Sequence, residues 1–216
     1  MPALYPKMRE RPPEWRINNA SPIFPQLVLC YLGRQRGSSI LLNESFNIHH
    51  GTLTNMNVSS SWTFDSHLRR LCIRFDGVND HVPLNFVGIG SLALRPSTLI
   101  MWVKTHIAPT TRQSIIADWN SGGHAESTHV EFSGYGMTSG RLGGALAHSG
   151  SSGKDVLQTT YAVESHRWYH VALVNSDYWT FKLFVDGRLE GSRTYSAGPF
   201  SGAGTATLGR PGDYPS

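Results

Sequence analysis

The chain has 216 residues, of which 39% are hydrophobic, 22 are Gly and 12 are Pro. That is enough for one sizeable core and too rich in turn formers for a coiled coil or a bundle of long helices. The formal net charge of +4 sits at the N-terminus, where Lys7, Arg9, Arg11, Arg16, Arg34 and Arg36 face only Glu10 and Glu14, and the remaining residues carry equal numbers of acids and bases. A neutral body lacks the basic face that phosphate contacts require, which argues against nucleic acid as a partner.

Residues 1–25 read as a basic arm, because Pro12, Pro13, Pro22 and Pro25 prevent both a helix and a central strand. Charges and prolines also occupy the positions where a secretory signal needs a continuous apolar stretch. No run approaches membrane-spanning length, so membrane insertion is not expected. From residue 26 to residue 216 the pattern changes to short apolar or alternating runs separated by Gly, Asn, Asp and Ser, the pattern of a β-sandwich or barrel. In chain order the predicted strands are 27–32, 71–75, 81–84, 98–105, 114–119, 128–132, 141–147, 168–174, 181–192 with an internal turn, and 205–209. No segment sustains a helical period.

Two of these runs specify more. In Trp168-Tyr-His-Val-Ala-Leu-Val174 both alternation sets are largely apolar, so the strand is expected inside a sheet with both faces covered. In the 181–192 run, Asp186-Gly187 supplies the two positive-φ residues of a type I′ turn, and its flanks should pair antiparallel. Successive antiparallel strands with covered faces predict two stacked sheets. Cys30 and Cys72 both stand in apolar strand-like runs outside any zinc spacing; buried thiols and a disulfide between neighbouring strands are both open, with thiols the expectation.

The series HHGTLTNM…W (49–62), FDGVNDHVPL (75–84), TLIMWVKT (98–105), RWYHVALV (167–174), LFVDGRLEGS (183–192) and TLGRP (207–211) resembles the laminin-G-like jelly-roll domains of the concanavalin A-like lectin/glucanase superfamily, in the family's order over residues 26–216. The versions it is most similar to occur in bacterial surface proteins and phage or metagenomic viral proteins. The resemblance implies an all-β fold of two antiparallel sheets, with glycan or protein binding and sometimes calcium. Family members continue past the LGR strand into a final strand of the type G-x-I-x-x-V-x-I-Y, whereas this sequence ends at Pro211-Gly-Asp-Tyr-Pro-Ser216. The expectation is therefore a gene fragment, or an edge completed by another strand.

The stretch 75–82 packs two carboxylates, an amide and an imidazole between two strands. Asx residues in such a position bond their own backbone, so a turn is expected; Asp76, Asn79 and Asp80 remain the candidate calcium ligands, although calcium wants six to eight oxygens and the regular loop motif is absent. His166 and His170 would converge on a metal only in a helix, and on a strand they lie about 13 Å apart. His49 and His50 read as solvated. No closely alternating acids of the glucanase type occur, and Glu126 and Glu131, five apart, should face opposite sides of a strand. No nucleophile elbow, phosphate loop or zinc-protease motif is present, and no catalytic residue is assigned.

A binding face remains. Sugars are held by aromatic rings stacked on the apolar face of a pyranose and by planar polar groups that read its hydroxyls. Trp119, Asn120, Tyr135, Arg141 and His148 are the candidate ligand contacts, while Trp102, Trp168, Phe75, Phe181 and Phe184, inside apolar strands, are expected in the core. The expectation is a non-catalytic, lectin-like module that binds a glycan or cell-surface polysaccharide in an extracellular or virion-associated protein. The alternatives are a structural module of a phage particle contacting other structural proteins, and a glycosidase relative in which Glu131 would matter.

Overall fold

The computed structural model describes residues 37–43, 49–87, 96–118, 128–134, 136–145, 156–177, 179–194 and 205–209. The basic arm, the 27–32 run and Cys30 lie outside these residues.

The described elements are β1 (Ile40–Leu41), β2 (Gly51–Thr52), α1 (Val58–Ser61), β3 (Trp62–Asp65), β4 (Arg70–Ile73), β5 (Val82–Val87), β6 (Ser97–Val103), β7 (Gln113–Asp118), β8 (Thr128–Phe132), β9 (Leu142–Ala145), β10 (Leu157–Gln158), β11 (Tyr169–Asn175), β12 (Thr180–Val185), β13 (Arg188–Thr194) and β14 (Thr205–Leu208). All their pairings are antiparallel. One sheet has the order β10-β9-β8-β7-β14-β5, a second has β13-β12-β11-β6, and β1-β2 and β3-β4 form two short ribbons. This is a β-sandwich.

The layers follow from alternation. Along β11, Tyr169, Val171, Leu173 and Asn175 are buried, while His170, Ala172 and Val174 between them are half-buried. Along β12 the buried set is Phe181, Leu183 and Val185. All of these buried side chains except Asn175 meet Val130 and Phe132 of β8, Leu142 of β9, Ile116 of β7 and Val82 and Leu84 of β5 in one apolar core. Burial of so many large side chains, at about 1.5–3 kcal/mol each, supplies the main drive for closure. As expected β11 lies inside its sheet, between β12 and β6; only one of its faces is fully covered.

The hairpin joining β12 to β13 has the anticipated turn: Asp186 and Gly187 take φ of 51° and 78°, and Val185 pairs with Arg188. Further along, Leu183 pairs with Gly191 but Phe184 with Leu189, so Glu190 is the extra residue of a β-bulge. The bulge turns Glu190 inward, where its Oε2 accepts from the Thr160 amide and hydroxyl, both at 3.0 Å.

Trp102 corrects the sequence reading. Along β6 the partly buried Leu99 and Met101 and the buried Val103 pack on the core, leaving Ile100 and Trp102 outward, 60% and 53% exposed. Phe181 is core as expected, Phe75 packs against the core from its rim, and Trp168 and Phe184 are half-buried. His50 is half-buried as well, with Nδ1 accepting from the Asn43 amide at 3.1 Å.

Candidate functional site

In the FDGVND stretch the carboxylates bond the loop's own backbone. Asp76 Oδ1 accepts from the amides of Val78 (2.8 Å), Asn79 (3.4 Å) and Asp80 (3.4 Å), and Asp80 Oδ2 accepts from the Asp76 amide at 3.0 Å. The Val78 amide is the largest influence on the Asp76 carboxyl; it and the Asp80 and Asn79 amides outweigh the opposing effect of burial and hold the group below its ordinary value. The Asn79 carbonyl meets Asn55 Nδ2 at 3.4 Å and His81 Nδ1 at 2.9 Å. One oxygen of each carboxylate is thus engaged by backbone amides, and no group of three or more His, Cys, Asp or Glu among the described residues is arranged to hold a metal.

Of the five candidate glycan contacts, Trp119, Asn120, Tyr135 and His148 lie outside the described residues. Arg141 precedes β9 and donates Nη1 to the Thr159 carbonyl at 2.6 Å, clamping the segments on either side of the β9–β10 connection. Glu131 lies on β8 with its side chain fully buried, gripped by Arg112 through Nε at 3.0 and 3.1 Å and Nη2 at 2.6 Å. A carboxylate held in this way cannot touch a substrate. Cys72 is a free, half-buried thiol, and burial, followed by the Asp65 charge, pushes it up, which keeps it protonated and unreactive.

The outward face of the four-stranded sheet gathers a different set. Trp102 of β6 is the register partner of His170 of β11, and their rings are 5.0 Å apart, tilted by 58°. The His170 amide in turn donates to Asp186 Oδ1 at 2.9 Å, and the Asp186 amide to the His170 carbonyl at 2.8 Å. Arg167 Nη2 lies 3.1 Å from Asp186 Oδ2, with its guanidinium 4.9 Å from the centre of the Tyr169 ring. An exposed indole, an imidazole, a carboxylate and a planar guanidinium thus follow one another across β6, β11 and the β12–β13 turn.

Beside this row lies a cleft of about 670 Å³, lined by Asp65, His67, Lys104, Glu164, His166 and Trp168 among others. Lys104 stands one step beyond β6, on the same side as Trp102; its Nζ is 2.5 Å from Asp65 Oδ2 and 4.6 Å from the centre of the Trp168 ring. Burial alone would raise the Asp65 carboxyl. Lys104 and the Leu68 amide, which meet its two oxygens, outweigh it and hold the group well below the usual carboxylate range. His166 has a left-handed backbone, φ 63°, and packs edge-on against His106 with centroids 5.4 Å apart. Burial, then the charges of Lys104, Arg74 and His166, lower the His106 imidazole from its ordinary value.

None of the aromatic and polar groups of this row was singled out from the sequence as a ligand contact. One signal was available: Thr98, Trp102 and Lys104 share an alternation set whose two ends are polar, which marks that set as the solvent side of β6.

A family model of the laminin G type, described as the concanavalin A-like lectin/glucanases superfamily, matches residues 76–214, more than half of the chain. The chain belongs to this laminin-G-like family. No curated protein matches it. Among solved structures it is similar to the receptor binding domain of botulinum neurotoxin D, at 15% identity and a TM-score of 0.57, over 87% of this chain and 45% of that one. A Trypanosoma rangeli sialidase mutant displaying trans-sialidase activity is 14% identical with a TM-score of 0.56, over 86% and 28% of the two chains. The CBM40 module of the Ruminococcus gnavus IT-sialidase, bound to α2,3 sialyllactose, is 21% identical with a TM-score of 0.43, over 56% and 71%. The likenesses at TM-scores of 0.56 and 0.57 support the sandwich fold of this laminin-G-like chain and, at these identities, nothing finer. Among the described residues, no helix is long and apolar enough to cross a membrane.

Proposed function

We propose that this laminin-G-like chain is a non-catalytic, lectin-like module that binds glycan on the outward face of its four-stranded sheet, as part of a cell-surface or virion-associated protein. The observation that carries the reading is Trp102, 53% exposed and continuous with His170, Asp186 and Arg167. A half-exposed indole on a rigid strand is a ready stacking surface, and the neighbouring planar groups can exchange hydrogen bonds with ring hydroxyls. The superfamily takes in both lectins and glucanases. Binding is favoured here because Glu131 is fully buried and gripped by Arg112, out of reach of a bond held between two carboxylates.

Trp119, Asn120, Tyr135, Arg141 and His148 stay in the proposal as a second, competing location. Arg141 is the weaker for its bond to Thr159. Affinity electrophoresis of the whole chain through gels containing polysaccharides tests the reading: the protein should be retarded by at least one, and Trp102→Ala should migrate freely. Retardation unchanged in Trp102→Ala would remove the outward face from the account.

A further inference from the structure

The outward face carries more than Trp102. Because strands pair in register, the residues that follow one another across the sheet are fixed: Ile100 pairs with Ala172, Ala172 with Phe184, and Phe184 with Leu189. Ile100, Ala172 and Phe184 alternate with inward-facing neighbours, Leu189 stands beside the bulge between exposed Arg188 and buried Glu190, and Ile100 and Leu189 at the two ends are 60% and 50% exposed. The result is an apolar row perpendicular to the strands, one step from the polar row of Trp102, His170 and Asp186. With neighbouring strands about 4.8 Å apart, the row is about 14 Å wide, wider than one pyranose ring.

Two cations of this face, Lys104 and Arg167, already have carboxylate partners. Lys104 is paired with Asp65 at 2.5 Å, Arg167 with Asp186 at 3.1 Å, and Lys182, outward on β12, lies in the field of Asp177. A polyanion arriving here would have to compete with these carboxylates and would meet their charge. A neutral polymer meets an apolar row it can lie on and a flanking polar row that can exchange hydrogen bonds with its hydroxyls.

We propose that the ligand of this face is an internal stretch of a linear, neutral polysaccharide lying across the four strands, rather than a single terminal sugar or an acidic glycan. The inference rests on the glycan-binding reading above and adds the ligand's length and charge. Two features support it. The two ends of the face are open, Ile100 and Leu189 being 60% and 50% exposed, and its apolar groups are spread over the whole width rather than gathered at one ring. Each additional sugar unit then gains contact until the sheet's width is filled.

The test is a binding series on the full chain with β-glucan, galactomannan and xylan, their oligosaccharides from one to six units, and sialyllactose and heparin as acidic probes. At least one neutral polymer should bind, with affinity rising roughly tenfold or more between the disaccharide and the hexasaccharide. Trp102→Ala and Ile100→Ser should each weaken the hexasaccharide, by about tenfold for the tryptophan, and Trp102→Tyr should restore most of the loss. Both sites are exposed, so unfolding midpoints near that of the parent chain verify that the variants fold. If a monosaccharide binds as tightly as the polymer, or heparin or sialyllactose binds best, the inference falls while the glycan reading stands. If no probe binds, both fall. Should the chain instead self-associate, and Ile100→Ser make it monomeric, the row is a protein contact.

Discussion

Replacing Glu131 by Gln removes the charge of a fully buried carboxylate from its ion pair with Arg112 without changing its size. The Glu131 side chain is fully buried, and Arg112 meets both its oxygens at 2.6–3.1 Å. Gln keeps one acceptor but turns an amide NH₂ toward the guanidinium, so a donor faces a donor. Removing one partner of a fully buried pair costs about 3–5 kcal/mol. Arg112 is 29% exposed and can recover part of its hydration, which lowers the expected cost to roughly 2–3 kcal/mol. For a domain of this size each kcal/mol moves the midpoint by about 2–4 °C, giving a fall of roughly 4–12 °C in thermal unfolding. The double variant Arg112→Met with Glu131→Gln should be less destabilised than the sum of the two single changes, because the guanidinium that the amide NH₂ would face is gone. Glycan retention should not change, since Glu131 has no exposed atom to offer. A midpoint within about 1 °C of the parent would refute the structural role, and lost retention in a folded Glu131→Gln protein would return Glu131 to the functional site.

Gly187→Ala puts a Cβ on a left-handed residue with open space around it, so only backbone strain is at stake; urea unfolding should show a loss of about 1–2 kcal/mol, and no loss would deny the type I′ turn. The folded Asp65 carboxyl is held below its unfolded value, so its stabilising contribution is complete above about pH 4 and disappears as pH falls through the folded value. Asp65→Asn should therefore flatten the acid limb of the stability–pH curve, and an unchanged limb would contradict the Lys104 pairing. Calcium should leave the unfolding midpoint unchanged, because Asp76 Oδ1 is already shared among the amides of Val78, Asn79 and Asp80; a rise that grows with calcium concentration would show an ion bound to the folded state.

The fold was legible where local chemistry leaves one choice. Asp186-Gly187 permits few turns other than the one found, Thr128–Phe132 was read with its observed limits, and the doubly apolar run of β11 could stand only inside a sheet. Short or polar elements were missed: β3, β10 and the single turn of α1 are too brief to impose a period. Trp102 was misread because its apolar ring was weighed ahead of its alternation set, whose polar ends Thr98 and Lys104 mark the solvent side of β6. The outward row was illegible for a different reason. Asp65 meets Lys104 across 39 residues, and Trp102 meets His170 across 68, contacts that only the register of distant strands creates.

The central claim is the location of the glycan on the face of the four-stranded sheet. Amide and indole NMR shifts, followed while the tightest-binding neutral oligosaccharide is titrated in, test it directly. The account predicts that the Trp102 indole and the amides of Ile100, His170, Ala172 and Phe184 shift together and saturate at one dissociation constant. Shifts confined to Trp119, Asn120, Tyr135, Arg141 and His148, with the Trp102 indole unmoved, would contradict it.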